Sequence, residues 1–459
     1  MNKITTIAGL TWKAAFRYRL FWILCGLLAA AVVGLPLMIK DDGTAQGMVQ
    51  ILLTYTLSAT ATLLGFATLW LSCGTLAKDV EECQMQMVVV KPIARWQIWM
   101  GKWLGLLSLN AVLLGLAGAA IFMLLQWRAG RLPADQQRIL HKDILVSRAS
   151  AKEPLPNFSR IVDSIMQRAI KDPSKMDPRD LAEVRNQITA RVETNFTDLP
   201  PRSARLWGID LHTMKDRLRD QRMQLRVKFI TSGANPETEY TTLWRVGPTN
   251  STRQVELTQT MPGDSFQTFD LPANMLDDQG RLFIEVMNPN NIDLTFPLGE
   301  GMELLYPDGT FGVNFIRGLA IIFCWLALLA SIGLASASFL SFPVAAFASL
   351  AVLMLGLSSG TISTVVEQGT ITGFDASKSA YGHSAVDYVV VPIFDGALKI
   401  INLVQGFSPI DSLSSGRSIT WGQLAKAVMQ IVLLLSGFFC VAGILLFARR
   451  ELATAQGNN

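Results

Sequence analysis

Long uninterrupted apolar runs are the feature of this sequence that most constrains its fold. A helix needs about 20 apolar residues to cross a bilayer core roughly 30 Å thick. Six runs meet this requirement: Leu20–Ile39, Ile51–Leu76, Ile98–Trp127, Phe315–Leu334, Phe339–Ile362 and Leu424–Ala448. Lipid offers no partners to backbone amides, so such runs must form helices. The sequence therefore predicts a polytopic α-helical membrane protein with about six transmembrane helices.

The basic residues that flank these runs predict how the chain crosses the membrane. Cytoplasmic loops carry an excess of lysine and arginine. The basic flanks are Lys3, Lys13, Arg17 and Arg19 before the first run, Lys78, Lys91, Arg95 and Lys102 between the second and third, and Arg449 and Arg450 after the last. An even number of spans places all three groups on one side. We therefore expect a multi-pass protein of the inner (cytoplasmic) membrane with both termini in the cytoplasm.

A charged block separates the third and fourth runs and has the composition of a soluble domain. Residues 128–310 hold helical periodicity in Pro178–Val192 and Ile209–Arg222, which predicts a helical part over 133–223. The part over 224–310 is predicted to be β-rich. With the chosen orientation the whole block is extracytoplasmic, inserted between spans one to three (residues 1–127) and spans four to six (residues 311–459).

Short alternating segments in the second part of this block predict strands. They are Gln224–Ile230, Thr241–Val246, Gln254–Thr260, Phe266–Leu271 and Leu282–Met287. Turn signals such as Gly247-Pro248 and Pro262-Gly263 separate them. Strands at this spacing are typical of an antiparallel β-sandwich. The overall prediction is a membrane protein with an inserted α+β extracytoplasmic domain that contains a β-sandwich.

The segment over about 366–420, before the last run, is too broken by glycine, proline and polar residues for a clean span. We expect external amphipathic or re-entrant helices there. Charged residues are nearly absent from the interior of the six runs. This disfavours a proton- or ion-coupled carrier, because such carriers place ionisable groups at mid-membrane.

The charged break between the second and third runs carries the most informative pattern. Residues 75–105 read TLAKDVEECQMQMVVVKPIARWQIWMGKWLG, with acidic residues first and basic residues later. This order suits the helix dipole, and Pro92 interrupts a helix because it lacks an amide donor. The pattern predicts a short amphipathic helix over about 75–97, on the cytoplasmic surface and exposed to a soluble partner.

This break resembles the corresponding segment of ABC-2-type permeases, the membrane-spanning subunits of ABC transporters. The matching positions are Thr75, Glu81, Glu82, Lys91, Pro92, Arg95, Gly101, Lys102 and Gly105. An amphipathic start over residues 4–24 and a basic end after the last run also resemble the family. In that family the segment is the coupling helix that docks on the nucleotide-binding subunit. The resemblance implies that the docking residues here are Lys78, Asp79, Glu81, Glu82, Lys91, Pro92, Arg95 and Lys102.

The same resemblance implies the function. The chain would pair with a second copy or a related permease and couple ATP hydrolysis by a separate ABC ATPase subunit to export of a hydrophobic or lipid-linked substrate, or to force transmission. ATP and Mg²⁺ would bind to the ATPase, with no cofactor in this chain. An ATPase would need GxxxxGK[ST], whereas Gly101-Lys102 is followed by Trp103. The insertion of residues 128–310, which minimal family members lack, leaves the substrate open.

Two other functions stay open. The first is a membrane-anchored binding or scaffold protein whose outer domain holds an envelope ligand, with Trp207 and Trp244 as contacts that could stack on a sugar. The second is an intramembrane serine protease, since Gly356–Gly360 fits GxSxG around Ser358 and His383 could act as base. In hydrolases this motif lies on a strand–turn–helix, and here it ends an apolar run.

The net charge, the cysteine positions and the histidine count limit which kinds of partner and ligand we expect this chain to bind. The net charge of +4 does not suggest a nucleic-acid-binding protein, and membrane lipids are the expected surroundings. The stretch Arg202–Lys228 is locally basic and could meet lipid headgroups or an anionic partner, although a solvated helix face is the favoured interpretation. None of the five cysteines lies in residues 128–310, so the domain must be held by its own core. With three histidines and no HExxH, no metal site is expected.

Overall fold

The computed structural model describes most of the chain. The described residues are 3–17, 19–38, 44–81, 93–140, 145–169, 178–231, 238–249, 253–299, 301–368, 370–371, 374–375, 380–381 and 386–450. The chain divides into two compact units. We call Met1–Val146 with Thr310–Asn459 the helical unit, and Ser147–Gly309 the strand-rich unit.

Helices make up almost all of the helical unit. Their bounds are α1 Lys3–Arg17, α2 Arg19–Met38, α3 Ala45–Glu81, α4 Arg95–Ala129, α5 Ala134–Ile139, α9 Phe311–Ala337, α10 Phe342–Leu357, α11 Ser359–Gln368, α12 Asp387–Gln405, α13 Pro409–Ser414, α14 Trp421–Ala427 and α15 Gly437–Arg449. A π-helical segment, Val428–Ser436, joins α14 to α15. A two-stranded ladder pairs β12 (Phe374–Asp375) with β13 (Ala380–Tyr381).

Four of these helices are long and apolar enough to cross a membrane: Gly47–Glu81 within α3, α4, α9 and the last span, Trp421–Arg449. The count rises to six if each of two bent helix pairs is one span. One pair is α1 with α2, and the other is α10 with α11, bent by 61°. The described residues therefore have the helical content of a polytopic membrane protein.

Small residues let the central helix α9 approach its neighbours closely. A Cβ added at Gly333 of α9 would lie 1.8 Å from the Ser72 hydroxyl of α3, and one added at Gly118 of α4 would lie 2.4 Å from Leu319 of α9. Membrane helices gain most of their association energy from such packing, since lipid removes the hydrophobic drive. Ser436, at the end of the π-helical segment, donates to Ser331 of α9 at 2.9 Å. These contacts place α9 at the centre of the bundle.

The strand-rich unit is built on two four-stranded sheets. The first has the order β1–β11–β4–β8 and the second β3–β9–β6–β7. The strands are β1 Val146–Ala151, β2 Asp198–Leu199, β3 Ala204–Asp210, β4 Met223–Val227, β5 Ile230–Thr231, β6 Glu239–Val246, β7 Val255–Pro262, β8 Gln267–Leu271, β9 Arg281–Met287, β10 Leu294–Thr295 and β11 Met302–Thr310. A small sheet, β2–β10–β5, accompanies them. The helices are α6 Phe158–Ala169, α7 Pro178–Thr197 and α8 Lys215–Leu218, with a 3₁₀ turn at His212–Met214.

Both sheets bury one face in a single core. Leu225 of β4 and Leu304 of β11 meet Trp244 of β6 and Ile284 of β9 in one cluster. Along β4 and β9 buried and less buried residues alternate, as strands with one core-facing side require. Two sheets around one core, with antiparallel pairs at β11–β4 and β4–β8 and throughout the second sheet, form the β-sandwich that the alternating segments predicted. Each of the five predicted strands has its counterpart.

Two sequence-based assignments in this block are wrong. Ile209–Arg222 was expected to be a helix, but β3 runs to Asp210 and only the short turns at His212–Met214 and Lys215–Leu218 follow. Residues 133–223 were expected to be helical, yet β1, β2 and β3 lie among them. Tertiary pairing explains the error, because β3 pairs with β9 over its whole length and this outweighs local helical spacing.

Candidate functional site

The break predicted to be the docking element is framed by the ends of two long helices. Residues 75–81 continue α3 without interruption, and α4 begins at Arg95. Of the predicted helix over about 75–97, residues 75–81 therefore belong to α3 and residues 95–97 to α4, and residues 82–92 lie outside the described residues. Glu82, Lys91 and Pro92 lie outside the described residues. The Gln97 side chain accepts a hydrogen bond from the Ala94 amide at 3.3 Å, which caps the start of α4.

A buried ion pair joins α3 to α4 beside the break. The Lys102 ammonium donates to the Asp79 carboxylate at 2.5 Å and to the Thr75 carbonyl at 2.6 Å. The Lys102 side chain is 8% exposed and that of Asp79 is 31% exposed. A lysine buried to this degree needs a paired acceptor, because desolvating a lone charge is costly. Asp79 and Lys102, which are both among the predicted docking residues, therefore pair with each other within this chain.

Arg95 binds the end of the last span. Its guanidinium donates to the carbonyls of Phe447 at 3.1 Å, Ala448 at 2.6 Å and Arg450 at 2.9 Å. The last carbonyls of a helix have no partners within the helix and carry partial negative charge. Arg95 supplies both the donors and the positive charge, and so fastens the start of α4 to the end of α15.

Glu81 and Lys78, at the end of α3, both meet the start of α10. The Glu81 carboxylate accepts a hydrogen bond from the Phe342 amide at 2.7 Å, which satisfies one of the free donors at a helix start. The Lys78 ammonium lies 4.8 Å from the centre of the Phe342 ring, within the range of a cation–π contact. The end of α3 is thereby tied to α10.

Two residues outside the predicted set also bond to the end of α9. Arg450 donates to the carbonyl of Ala337, the last residue of α9, at 3.1 Å. Trp99 of α4 donates from its indole nitrogen to the Ser338 hydroxyl at 3.2 Å. A Cβ added at Gly443 of α15 would lie 2.9 Å from the same indole. From the sequence, Arg450 indicated only the orientation of the last span in the membrane. Its contact with the end of α9 depends on the tertiary fold.

Two glycines of the family-like pattern have a packing role. A Cβ at Gly101 would lie 2.7 Å from the Cβ of Ile7, and one at Gly105 would lie 2.7 Å from the Cβ of Thr11. Both positions of α4 therefore let α1 lie against the helix backbone. The four-residue spacing is the GxxxG arrangement by which membrane helices approach closely. It is the signal that could have assigned Gly101 and Gly105 to helix packing from the sequence.

We call the residues that join these helix ends the helix-end layer: Asp79, Glu81, Arg95, Lys102 and Arg450. They connect the ends of α3, α9 and α15 with the starts of α4 and α10. The layer brings together four of the eight predicted docking residues. It contains contacts between charged side chains and helix ends together with one ion pair, and these contacts link the ends of several helices.

The two tryptophans predicted as ligand contacts have different places in the strand-rich unit. Trp244 is 1% exposed and packs at 5.1 Å against Phe269, with its indole nitrogen bonded to Thr242 at 2.8 Å. It belongs to the sandwich core. Trp207 is 4% exposed, and it lines an open cleft of the same unit.

Ser358 lies between two helices. It follows α10 and precedes α11, and its amide donates to the Met354 carbonyl at 3.0 Å. The GxSxG residues thus occupy a helix–helix bend, whereas a hydrolase places them between a strand and a helix. His383 lies outside the described residues. Within the described part of the chain, no group of three or more His, Cys, Asp or Glu side chains could hold a metal ion.

No family model and no curated protein matches this chain. The resemblance to ABC-2-type permeases therefore rests on the quoted sequence positions alone.

Proposed function

We propose that this chain is the membrane-spanning permease of an ABC transporter, driven by a separate ATPase that docks at the break between α3 and α4. ATP hydrolysis in the partner would move the helices and export a hydrophobic or lipid-linked substrate, or transmit force across the membrane. One observation supports the proposal: the helix ends that flank the break are bonded to other helices of the helical unit through the helix-end layer.

The contacts describe a path for such force. Glu81, at the end of α3, accepts a hydrogen bond from the start of α10. In α4, Lys102 pairs with Asp79 of α3, and Arg95 donates to the end of α15. Arg450, which follows α15, donates to the end of the central helix α9. Since packed helices move as rigid bodies between a few arrangements, a push on the break would shift α3, α4, α9, α10 and α15 together.

We divide the predicted docking residues into two groups. Asp79, Glu81, Arg95 and Lys102 are bonded to other helices of this chain, so we assign them to transmitting the motion. The proposal leaves Glu82 and Lys91, with Pro92 between α3 and α4, to contact the ATPase. Opposite charges on the ATPase surface would set the docking register.

Reconstitution with an ATPase tests the docking. A P-loop ATPase is sought among the neighbouring genes and coexpressed with the chain, and copurification and ATP hydrolysis are measured. We expect the double charge reversal Glu82→Lys with Lys91→Glu to abolish both copurification and stimulation. Lys399→Glu is the matched control, because Lys399 is an exposed lysine of α12 that pairs with Asp395 at 2.8 Å. Full binding and stimulation in the double reversal would overturn the docking assignment.

A labelling experiment tests the sidedness on which the proposal depends. Cys83 lies in the break, whereas Cys25, Cys73, Cys324 and Cys440 lie in helices of the helical unit and three of these are buried. A membrane-impermeant maleimide should label the native chain in inverted vesicles and not in right-side-out vesicles. The Cys83→Ser variant gives the background. Labelling of Cys83 in right-side-out vesicles would contradict a cytoplasmic docking site.

A second candidate function is a membrane-anchored binding or scaffold protein. The cleft in the strand-rich unit favours it, because a concave site needs no transport activity to bind a ligand. The two candidates differ in one measurement. If the strand-rich unit on an unrelated membrane anchor restores the full cellular activity, the scaffold function is correct and the permease function is wrong.

A further inference from the structure

An open cleft of about 220 Å³ lies in the strand-rich unit. Its walls come from the residues after β1, the end of α7, β3 and the connection between β10 and β11. The apolar lining includes Leu155, Phe196, Phe296, Leu298 and Met302. A concave site with an apolar lining and a few polar groups is the usual form of a small-molecule site. The polar groups therefore decide what the cleft can bind.

Arg205 is the central polar group. Its guanidinium lies between two aromatic rings, 4.2 Å from the centre of Phe196 and 4.4 Å from that of Trp207. One nitrogen donates to the Glu153 carboxylate at 3.2 Å. Burial lowers the pKa of Arg205 while Glu153 raises it, and an arginine remains charged in proteins. A guanidinium carries five N–H donors, so one bond to Glu153 leaves capacity to bind an anion.

Lys152 adds a second positive charge to the cleft. Its ammonium donates to the carbonyl of Gly299, a residue in the left-handed region with φ of +77°. Among the described residues that line the cleft, the ionisable side chains are Lys152, Arg205 and Glu153. The Glu153 carboxylate is already engaged by Arg205.

The surroundings of Trp207 disfavour a stacked sugar. The indole is 4% exposed, Arg205 lies over its ring, and Phe296 packs against it edge to face at 5.2 Å. A sugar would need an open aromatic face, and this one is covered. The open part of the cleft instead combines aliphatic side chains with the two cationic groups. That combination suits a ligand with an apolar body and a negative head.

We propose that this cleft binds an anionic amphiphile, with its carboxylate or phosphate at Arg205 and Lys152 and its apolar chain against Leu155 and Leu298. The free volume lies below the roughly 300–1,000 Å³ typical of sites for drug-sized ligands. The ligand is therefore small, or it is one end of a longer lipid. The site does not depend on the proposed permease function, since it needs no ATPase to be occupied.

Photolabelling of the full chain in phosphatidylcholine nanodiscs tests the site. A diazirine derivative of octanoate is crosslinked, and the labelled peptides are mapped by mass spectrometry. Octanoate, octyl phosphate and octanol then compete for labelling. The two anions separate a carboxylate from a phosphate head, and the neutral alcohol reports the apolar contribution and partition into the lipid.

Two variants with matched controls locate the site. Leu155→Trp fills the cleft from an exposed position, and Leu206→Trp is its control because Leu206 is also exposed, at 54%, and does not line the cleft. Lys152→Gln removes a cleft cation, and Lys215→Gln is its control because Lys215 also donates to a backbone carbonyl, that of Asp278. Both cleft variants replace exposed or partly exposed side chains, so the sandwich core is untouched.

The expected result is labelling on the peptides that contain Leu155 and Leu298. At least one of the two anions should compete roughly tenfold better than octanol, since a negatively charged head makes charge-assisted hydrogen bonds that a neutral alcohol does not make. Leu155→Trp should remove the labelling and Lys152→Gln should weaken competition by the anion severalfold, with both controls unchanged. Equal competition by octanol and the anions, labelling outside the cleft, or unchanged labelling in Leu155→Trp would each overturn the proposal.

Discussion

The helix-end layer and the surface of the strand-rich unit use charged residues in opposite ways. In the layer, the Lys102 side chain is 8% exposed, and Arg95 and Glu81 bind helix ends. On the sandwich, Arg245 is 50% exposed and pairs with Glu256, which is 73% exposed. An exposed pair gains little because water competes for both partners, whereas a buried charge is costly to leave unpaired. Burial therefore decides whether a charged pair is structural.

The largest expected effect comes from breaking the buried pair. Lys102→Met should destabilise the helical unit by about 3 kcal/mol, because Asp79 would lose its partner in a partly desolvated site. Lys399→Met is the control, since Lys399 is 74% exposed in an i,i+4 pair with Asp395 and should cost only about 0.3–0.5 kcal/mol. Thermal unfolding of the purified chain in detergent measures both.

The double variant sharpens this result. Asp79→Asn combined with Lys102→Met should recover part of the lost stability, because it removes the uncompensated charge. Equal melting temperatures for Lys102→Met and Lys399→Met would remove the distinction between the two regions.

Overpacking between α1 and α4 should have the next largest effect. Gly101→Ala places a methyl group 2.7 Å from the Cβ of Ile7 and should cost about 1–3 kcal/mol. Gly115→Ala is the control in the same helix, because nothing lies within 4 Å of a Cβ there. It should be neutral or stabilising by up to about 1 kcal/mol. Melting temperatures that fall equally in both variants would contradict the close approach of α1.

In the strand-rich unit we expect a smaller, pH-dependent effect at Asp277. Burial raises its pKa, but hydrogen bonds from the amides of Arg281 and Gln279 and from the Arg281 guanidinium outweigh this and lower it. A lowered pKa in the folded state contributes stability above the unfolded value of about 3.9. This stability is lost as the pH falls through the folded value.

The measurement compares the wild-type chain with Asp277→Asn at pH 7 and at about pH 3. The wild type should melt higher at pH 7, and the difference should shrink at the lower pH. Asp278→Asn is the control at the exposed neighbouring position. A difference that grows as the pH falls would show that the carboxylate is not stabilised in the folded state.

The smallest effect is expected at Arg245. Its hydrogen bond to Glu256, together with the charges of Glu256 and Glu285, raises its pKa. The Arg245 side chain is half-exposed and its partner Glu256 is more so, so Arg245→Ala should leave the melting temperature unchanged within error at physiological salt. A fall in melting temperature comparable to that of Lys102→Met would show that the number of partners, rather than burial, determines how much an ion pair stabilises the protein.

The sequence predicted much of the fold because the signals were local. Apolar runs located the spans, and period-two alternation located β4, β6, β7, β8 and β9. The failure at β3 has a physical reason. Its residues Ala204–Asp210 carry no clean alternation, and the strand forms because β9 offers a complete ladder of partners. Strand pairing of this kind joins residues far apart in sequence, which a local pattern does not report.

The sequence predicted which residues belong to the candidate site but not which contacts they make. The sequence singled out Asp79, Glu81, Arg95 and Lys102 from their spacing around Pro92. It could not show that Arg95 binds the end of α15, since the two are more than 350 residues apart along the chain. Arg450 and Trp99 were missed for the same reason, and the cleft at Arg205 required residues from four separate segments.

By itself the sequence determined where the apolar helices lie, the existence of a separate strand-rich unit and the polar break between two long helices, whereas the predicted six spans correspond to four helices, or six if each bent pair is one span. Hydropathy and periodicity act over single turns and short strands, so they can be read locally. Only the tertiary structure decided which charged residues beside the break bind helix ends. It also decided at which glycines α1 packs against α4, and which tryptophan lines the cleft. Those outcomes depend on burial and on partners distant in the chain, which arise only when the helices and sheets pack together.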